Sequence, residues 1–204
     1  MKLLSIELDA LLDGALKGNF SDNNILIFSR YYLPEDFDPY DFVSDIDLSP
    51  HEEEIFNHAS LCFKAELSAK RLIARAEQHS MGLRSKLISR GFGSSIAKIV
   101  VSSLQERCLL DDERYGVLWL QNRISSSSAY SPKKLLFSLR NKGISRDDAN
   151  NAMKKVMSFD TEYALLDKYI KKNKLLISQP DLKYSLSYEG FSRDTLNEFF
   201  DENT

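Results

Sequence analysis

The stretch HEEEIFNH places His51 and His58 seven residues apart, two turns along one face of a helix. Two imidazoles on one face are the start of a zinc site. The spacing is not that of HExxH, and no third ligand stands beside them, so the pair reads as a solvated helix start. Asp111-Asp112-Glu113 gathers three carboxylates that could hold a divalent cation. Acids at a helix N-terminus complement the helix dipole, however, and need no metal. Cys62 and Cys108 are isolated and fit neither CxxC nor a disulfide framework. Cys108 lacks the neighbouring His that would make it a nucleophile, so both read as reduced, half-buried helix residues. His79 reads as a loop residue. GFGSS at 91–95 is glycine-rich but joins two helices, and neither GxxxxGK[ST] nor GxGxxG occurs anywhere. No catalytic, metal-binding or cofactor-binding residue is expected, and the chain is read as a non-enzyme.

What remains is the chemistry of charge. The formal net charge of -3 conceals a sharp division along the chain. Residues 1–63 hold 3 basic and 13 acidic side chains, and residues 64–100 hold 8 and 2. Residues 101–157 hold 10 basic and 6 acidic, and residues 158–204 hold 6 and 9. An acidic head and a basic middle of this kind suit an electrostatic partner for the middle. Arg84, Lys86, Lys133, Lys134 and Arg140 fall away from the apolar stripe of their helices. Arg90 and Lys142 each stand immediately before a glycine, and Glu189 takes the same place before a third. Such flexible cations suit acidic side chains or phosphates. The acidic head is expected to screen this basic middle.

The elements that carry these residues follow from a recurring phrase. GISRDDAN begins at Gly143 and GFSRDTLN at Gly190. Leu83 and Leu87, Leu135 and Leu139, and Leu182 and Leu186 lie eight and four residues before Gly91, Gly143 and Gly190. Leucines at i and i+4 share a helix face. A glycine four residues later is the left-handed C′ position of a Schellman end, whose contact joins C3 to C″. Leu87 is therefore predicted to meet Phe92, Leu139 to meet Ile144, and Leu186 to meet Phe191. Ser80, Ser131 and Ser178 are predicted N-caps of the preceding helices, with Pro132 at N1. Ser94, Ser145 and Ser192 are predicted caps of the following ones. A third helix precedes each pair, two of them starting near Asp112 and near Asp160 or Thr161.

The fold class read from this is mainly α, with three tandem three-helix repeats in a curved array, after a small β-containing extension. The expected divisions are 1–48, an acidic β-rich extension, then repeats at 49–109, 110–158 and 159–204. ISSSSAYS (124–131) reads as a flexible linker. In the head, LLSIEL and ILIFSRYYL are strand-like, KGNFSDNN is turn-rich, and PEDFDPYDFVSDIDL is irregular. Ser49-Pro50-His51-Glu52 forms a capping box that begins a long helix. The apolar fraction of 43% with 28% charged residues is that of a soluble globular protein. No apolar run reaches the ~18 residues of a membrane span, and MKLLSIELDALL is a poor signal peptide, so a cytoplasmic chain is expected.

The stretch from about Leu72 to Met157 resembles the RecX family, regulators of the RecA recombinase. The resemblance rests on Leu72, Arg75, Ser80, Leu83, Leu87, Gly91 and Phe92. It continues through Leu110, Asp111, Asp112, Arg114, Tyr115 and Arg123 to Leu139, Lys142, Gly143 and Ile144. The chain departs from the family pattern at Gly82, where Glu is usual, and at Gly116, where Ala is usual. Ser131-Pro132 replaces a glycine, and the head is more acidic than the family's usual character. The resemblance implies a monomeric, non-enzymatic protein lying in the groove of the RecA–DNA filament. It would limit ATP hydrolysis, filament extension and strand exchange, with weak DNA contact at most. Arg75 and Arg123 join Arg84, Lys86, Arg90, Lys133, Lys134, Arg140 and Lys142 as expected partner-binding residues. The other readings are a helical-repeat DNA-binding protein and an adaptor acting without a recombinase.

Overall fold

The computed structural model describes residues 2–12, 14–41 and 45–203, so 42–44 of the acidic stretch lie outside the described residues. These described residues form four strands and nine α-helices. The chain is thus mainly helical with a small N-terminal sheet, as the periodicity predicts. It divides into two compact units: residues 1–77 with 83–110, and residues 78–82 with 111–204.

The first unit opens with strands β1 (Lys2–Leu8), β2 (Ala15–Phe20), β3 (Ile25–Ser29) and β4 (Ile46–Asp47), antiparallel in the order β3-β2-β1-β4. Two expectations fail here. ALKGNF is a full strand rather than a turn, and the turn shrinks to residues 21–24. Gly18 explains the disguise: a Cβ there would stand 3.2 Å from the Phe20 ring and 3.4 Å from Phe28. Arg30–Tyr32, expected to continue the third strand, is a 3-10 turn.

Helix α1 (Pro50–Ile73) starts at the predicted capping box, with Ser49 and Glu52 exchanging side-chain and backbone hydrogen bonds. It packs across β3 and against α3 (Ser94–Glu106), with α2 (Ser80–Ser89) between them in sequence. The Phe56 ring of α1 meets Phe20, Phe28 and Phe37 edge-on at 6.1, 5.3 and 5.3 Å. Leu3, Phe20, Phe28 and Tyr32 bury in the same core as Phe56, Leu83, Leu87 and Leu104. The sheet of the acidic head is therefore packed, sharing its apolar face with the helices.

The second unit holds α4 (Asp112–Ser125), α5 (Pro132–Asn141), α6 (Arg146–Val156), α7 (Phe159–Asn173), α8 (Leu182–Tyr188) and α9 (Arg193–Asn203). Leu120, Leu135, Leu139, Ile144, Leu166, Leu186 and Phe199 lie in its core. At Gly116 a Cβ would stand 2.9 Å from that of Ala152, so glycine permits α4 and α6 to close on one another.

All three glycine joints form as predicted. Gly91, Gly143 and Gly190 have φ of 92, 86 and 93°. The Phe92, Ile144 and Phe191 amides donate to the carbonyls of Leu87, Leu139 and Leu186 at 3.2, 3.3 and 3.3 Å. The glycine amides donate to Ile88, Arg140 and Ser187, completing each Schellman end. Ser131 and Ser145 cap α5 and α6 as expected, and the Ser192 hydroxyl accepts from the Thr195 amide. Ser80 and Ser94 do not cap: each is the first helical residue. Ser178 lies ahead of α8, whose cap is Asp181.

Candidate partner-binding surface

Nine cations form the expected site, and they fall in both units. In the first unit Arg75 is exposed just beyond α1, and Arg84 and Lys86 are exposed on α2. Arg84 donates to the Ser94 hydroxyl at 2.9 Å, which ties it to the first turn of α3. Arg90 donates to the Ser68 hydroxyl at 2.7 Å and to the Ser68 carbonyl at 3.3 Å, back on α1. Both guanidiniums thus hold helices together while keeping one side to solvent.

The second unit builds a different arrangement. The Arg123 guanidinium lies 5.2 Å from the Trp119 ring and 5.9 Å from that of Tyr130, whose hydroxyl it also reaches at 3.4 Å. Lys142 sits 5.7 Å from the Trp119 ring on its own side, and Lys134 sits 5.7 Å from Tyr130. Lys133 stands 3.5 Å from the Tyr188 ring of α8. These four cations have no carboxylate partner among the described residues. Their contacts are ring faces, each worth about 0.5–1 kcal/mol when exposed. The charge is held in position and left uncompensated. Trp119–Arg123 is an i,i+4 pair on α4, and Tyr130 stands four residues before Lys134 just ahead of α5, so the sequence carried a signal for the rings that charge counting passes over.

Buried acids do the positioning. The Ser80 amide and hydroxyl donate to the two oxygens of Asp112 at 2.7 and 2.5 Å. The Ser192 amide and hydroxyl do the same to Glu162, both at 2.7 Å, and Thr195 adds a third bond at 2.8 Å. Asp112, read from sequence only as a dipole partner, is a clamp on the start of α2. That start also uses His79, whose Nδ1 accepts from the Gly82 amide at 3.2 Å. A Cβ at position 82 would stand 2.6 Å from the same ring, so a larger residue there would have to displace His79. The 124–131 segment is likewise tied down rather than loose. Lys168 donates to the Ser126 carbonyl, and Lys172 donates to that of Ser127 at 2.8 Å.

In the first unit Glu66 is 1% exposed and receives Tyr32, Lys70 at 2.7 Å and Arg107 at 2.9 Å. Burial acts to raise its pKa, and the hydrogen bonds from Arg107, Lys70 and Tyr32 outweigh it, holding the carboxyl below its ordinary range. Burial also pushes the Cys62 thiol up to about 11, so this buried cysteine stays protonated. Cys108 is exposed and lies beyond α3, not within a helix. Among the described residues no group of three or more His, Cys, Asp or Glu could hold a metal ion. None of their helices is long and apolar enough to cross a membrane.

Known proteins resemble this chain in both sequence and shape. It is 39% identical over 95 residues to the regulatory protein RecX of Treponema pallidum, spanning 47% of this chain and 57% of that protein's length. It is 31% identical over 149 residues to the regulatory protein RecX of Legionella pneumophila, spanning 68% of this chain and 94% of that one. The chain belongs to the RecX family. No protein-family model matches it. Crystal structures of RecX proteins share the fold. One matches over 98% of both chains with a TM-score of 0.66 at 16% identity. The RecX of Lactobacillus salivarius matches over 71% of this chain and 97% of its own, with a TM-score of 0.54 at 20% identity. Within this RecX chain the clamp from Asp112 to Ser80 and the joints at Gly91 and Gly143 are the structural content of the motif residues, whereas Arg123 and Lys142 are the motif residues that reach the surface cluster.

Proposed function

We propose that this RecX-family chain is a non-enzymatic, mainly negative modulator of RecA recombinase, seated in the groove of the RecA–DNA filament, where it limits ATP hydrolysis, filament extension and strand exchange. The observation that carries the reading is the cluster of Arg123, Lys134 and Lys142 around Trp119 and Tyr130. Its cations have no carboxylate partner among the described residues, and its rings supply rigid apolar area beside each cation. Such a surface suits the carboxylates and phosphates that line a protein–DNA filament. We further propose that the repeating unit is three helices, joined at Gly91, Gly143 and Gly190.

The test is RecA ATPase and strand exchange with the full chain and with Arg123→Glu/Lys134→Glu/Lys142→Glu. The reversed variant is expected to lose inhibition by about tenfold or more while keeping its circular dichroism. Unchanged inhibition by a folded variant removes the cluster from the interface.

A second reading is direct contact with single-stranded DNA. Rings flanked by cations suit stacked bases between phosphates. It predicts binding by the isolated chain that falls steeply with salt and that weakens in Trp119→Ala.

A further inference from the structure

A trough in the first unit is the acidic, apolar counterpart of a basic, apolar knob in the second. Three adjoining depressions make the trough. The central one, of about 450 Å³, is lined by Tyr31, Leu33, Pro34, Ile55 and Ile99, among others. It shares Pro34, His51 and Ile55 with a neighbour whose rim carries Asp36 and Asp41, and Tyr31 and Ile99 with another whose rim carries Glu106 together with Lys98 and with Arg107, whose guanidinium lies 4.6 Å from the Tyr31 ring centre and is paired with Glu66. Glu54 lies on the central wall. Tyr31 is 68% exposed and Ile99 38% exposed, so the floor is open. Asp36, Asp41, Glu54 and Glu106 are exposed and have no ion pair among the described residues.

The knob is on α5. Phe137 is 64% exposed, on a helix whose Leu135 and Leu139 are fully buried and whose Leu136 is partly buried. Lys133 and Lys134 lie four and three residues before it, and Arg140 three after, so cations ring the phenyl group on one helix face. Tyr188, 70% exposed under Lys133, widens the apolar part. An exposed aromatic among unpaired cations matches an apolar floor whose rim is acidic at Asp36, Asp41 and Glu54 and mixed at its far end, where Lys98 stands beside Glu106. The pattern is that of an interface core and its rim.

We infer that the trough of one copy of this chain receives the α5 knob of a second copy, head to tail. Phe137 enters the depression between Ile55 and Ile99, and Lys133, Lys134 and Arg140 meet the rim carboxylates. The two surfaces are different patches of one chain, so the contact is heterologous and each copy keeps one free trough and one free knob. Association therefore grows with concentration rather than stopping at a closed dimer. This inference stands apart from the recombinase reading and departs from the monomer expected from sequence.

Sedimentation velocity on the full chain alone tests it, at rising concentration in about 50 mM and about 500 mM salt. Mass is expected to rise with concentration at low salt and to return to monomer at high salt, where the Debye length falls to a few ångströms. A knob-blocked variant, Lys133→Glu/Lys134→Glu/Phe137→Ala, and a trough-blocked variant, Asp36→Lys/Asp41→Lys/Glu54→Lys, are each expected to weaken association about tenfold or more. All six positions are exposed, so both variants keep the helical circular dichroism of the parent. Mixing the two leaves one good trough and one good knob, so dimers form and nothing larger. Monomer throughout at low salt overturns the proposal, as do a blocked variant that still assembles and a mixture that stays monomeric. So does binding of a synthetic peptide of residues 131–142 by a chain that itself never associates, which would assign the trough to a basic segment of another protein.

Discussion

A positive φ is a position where one methyl group decides stability. Gly91 and Gly143 have the same backbone role and different surroundings. A Cβ at 91 meets nothing within 4 Å, whereas at 143 it meets the Cβ of Met81 at 2.9 Å. Gly91→Ala is expected to cost about 1–2 kcal/mol from backbone strain alone, and Gly143→Ala about 2–4 kcal/mol, since overpacking adds to it. Paired urea titrations measure the difference, and equal losses would show that Met81 yields freely. The converse change is available at Cys108. It occupies φ 56°, the Leu109 amide donates to Leu104, and its own amide donates to Gln105, so it fills a glycine's place in a fourth Schellman end. Cys108→Gly is expected to raise stability by about 0.5–1 kcal/mol, seen as a higher urea midpoint. The glycine ends were legible because a Schellman motif is local: six consecutive residues contain its donor, acceptor and apolar contact. The cysteine end was not, since nothing in a cysteine announces a left-handed backbone.

At the scale of elements, the legible features are those whose partner lies within one or two helical turns. The Ser49–Glu52 box and the Ser145 cap were read correctly for that reason. Strand β2 was missed because its partners lie on other strands and its Gly18 serves two phenyl rings. Ser80 was misassigned because its acceptor, Asp112, stands 32 residues away. Glu66 shows the same limit, joining a 3-10 turn, α1 and α3 through Tyr32 and Arg107. Its carboxyl titrates below the ordinary range when folded, so it stabilises the fold above the ordinary carboxylate range near pH 4.5. That contribution disappears as pH falls through the lowered folded value. Glu66→Gln is expected to cost about 1–3 kcal/mol at pH 7, and the gap from the parent should narrow progressively as pH falls below the ordinary carboxylate range in urea titrations. A gap that does not narrow at all on acidification would assign the loss to packing.

At the scale of the molecule, the charge division read from sequence has become two kinds of surface. The acidic head is a sheet with a buried apolar face, and Phe56 stands at the meeting of sheet and helix. Removing residues 1–48 is expected to expose that core. Dye binding should rise and near-ultraviolet dichroism collapse, where a screening tail would have left both unchanged. The nine cations were legible one by one, from charge and helical spacing. Their division into tethered guanidiniums in the first unit and ring-supported cations in the second was legible only for the neighbours four residues apart, because Arg90–Ser68, Lys142–Trp119 and Lys133–Tyr188 join residues distant in sequence.

The interleaving of the two units in sequence has a consequence for how the chain is made. Synthesis proceeds from the N-terminus, and residues 78–82 emerge before 83–110, yet they belong with 111–204. The first unit closes its core once Leu110 has left the ribosome, at about 5–20 residues per second. At that moment the Ser80 amide and hydroxyl still lack Asp112, and Met81 lacks the turn at Gly143. Asp112 follows only two residues behind Leu110, whereas Gly143 comes 33 residues behind it, roughly 2–7 seconds later at that rate, and the opening turn of α2 is finished only then. A nascent chain paused in that interval therefore carries a completed first core and an α2 with one unlatched end, which is where a protease or a chaperone would find it.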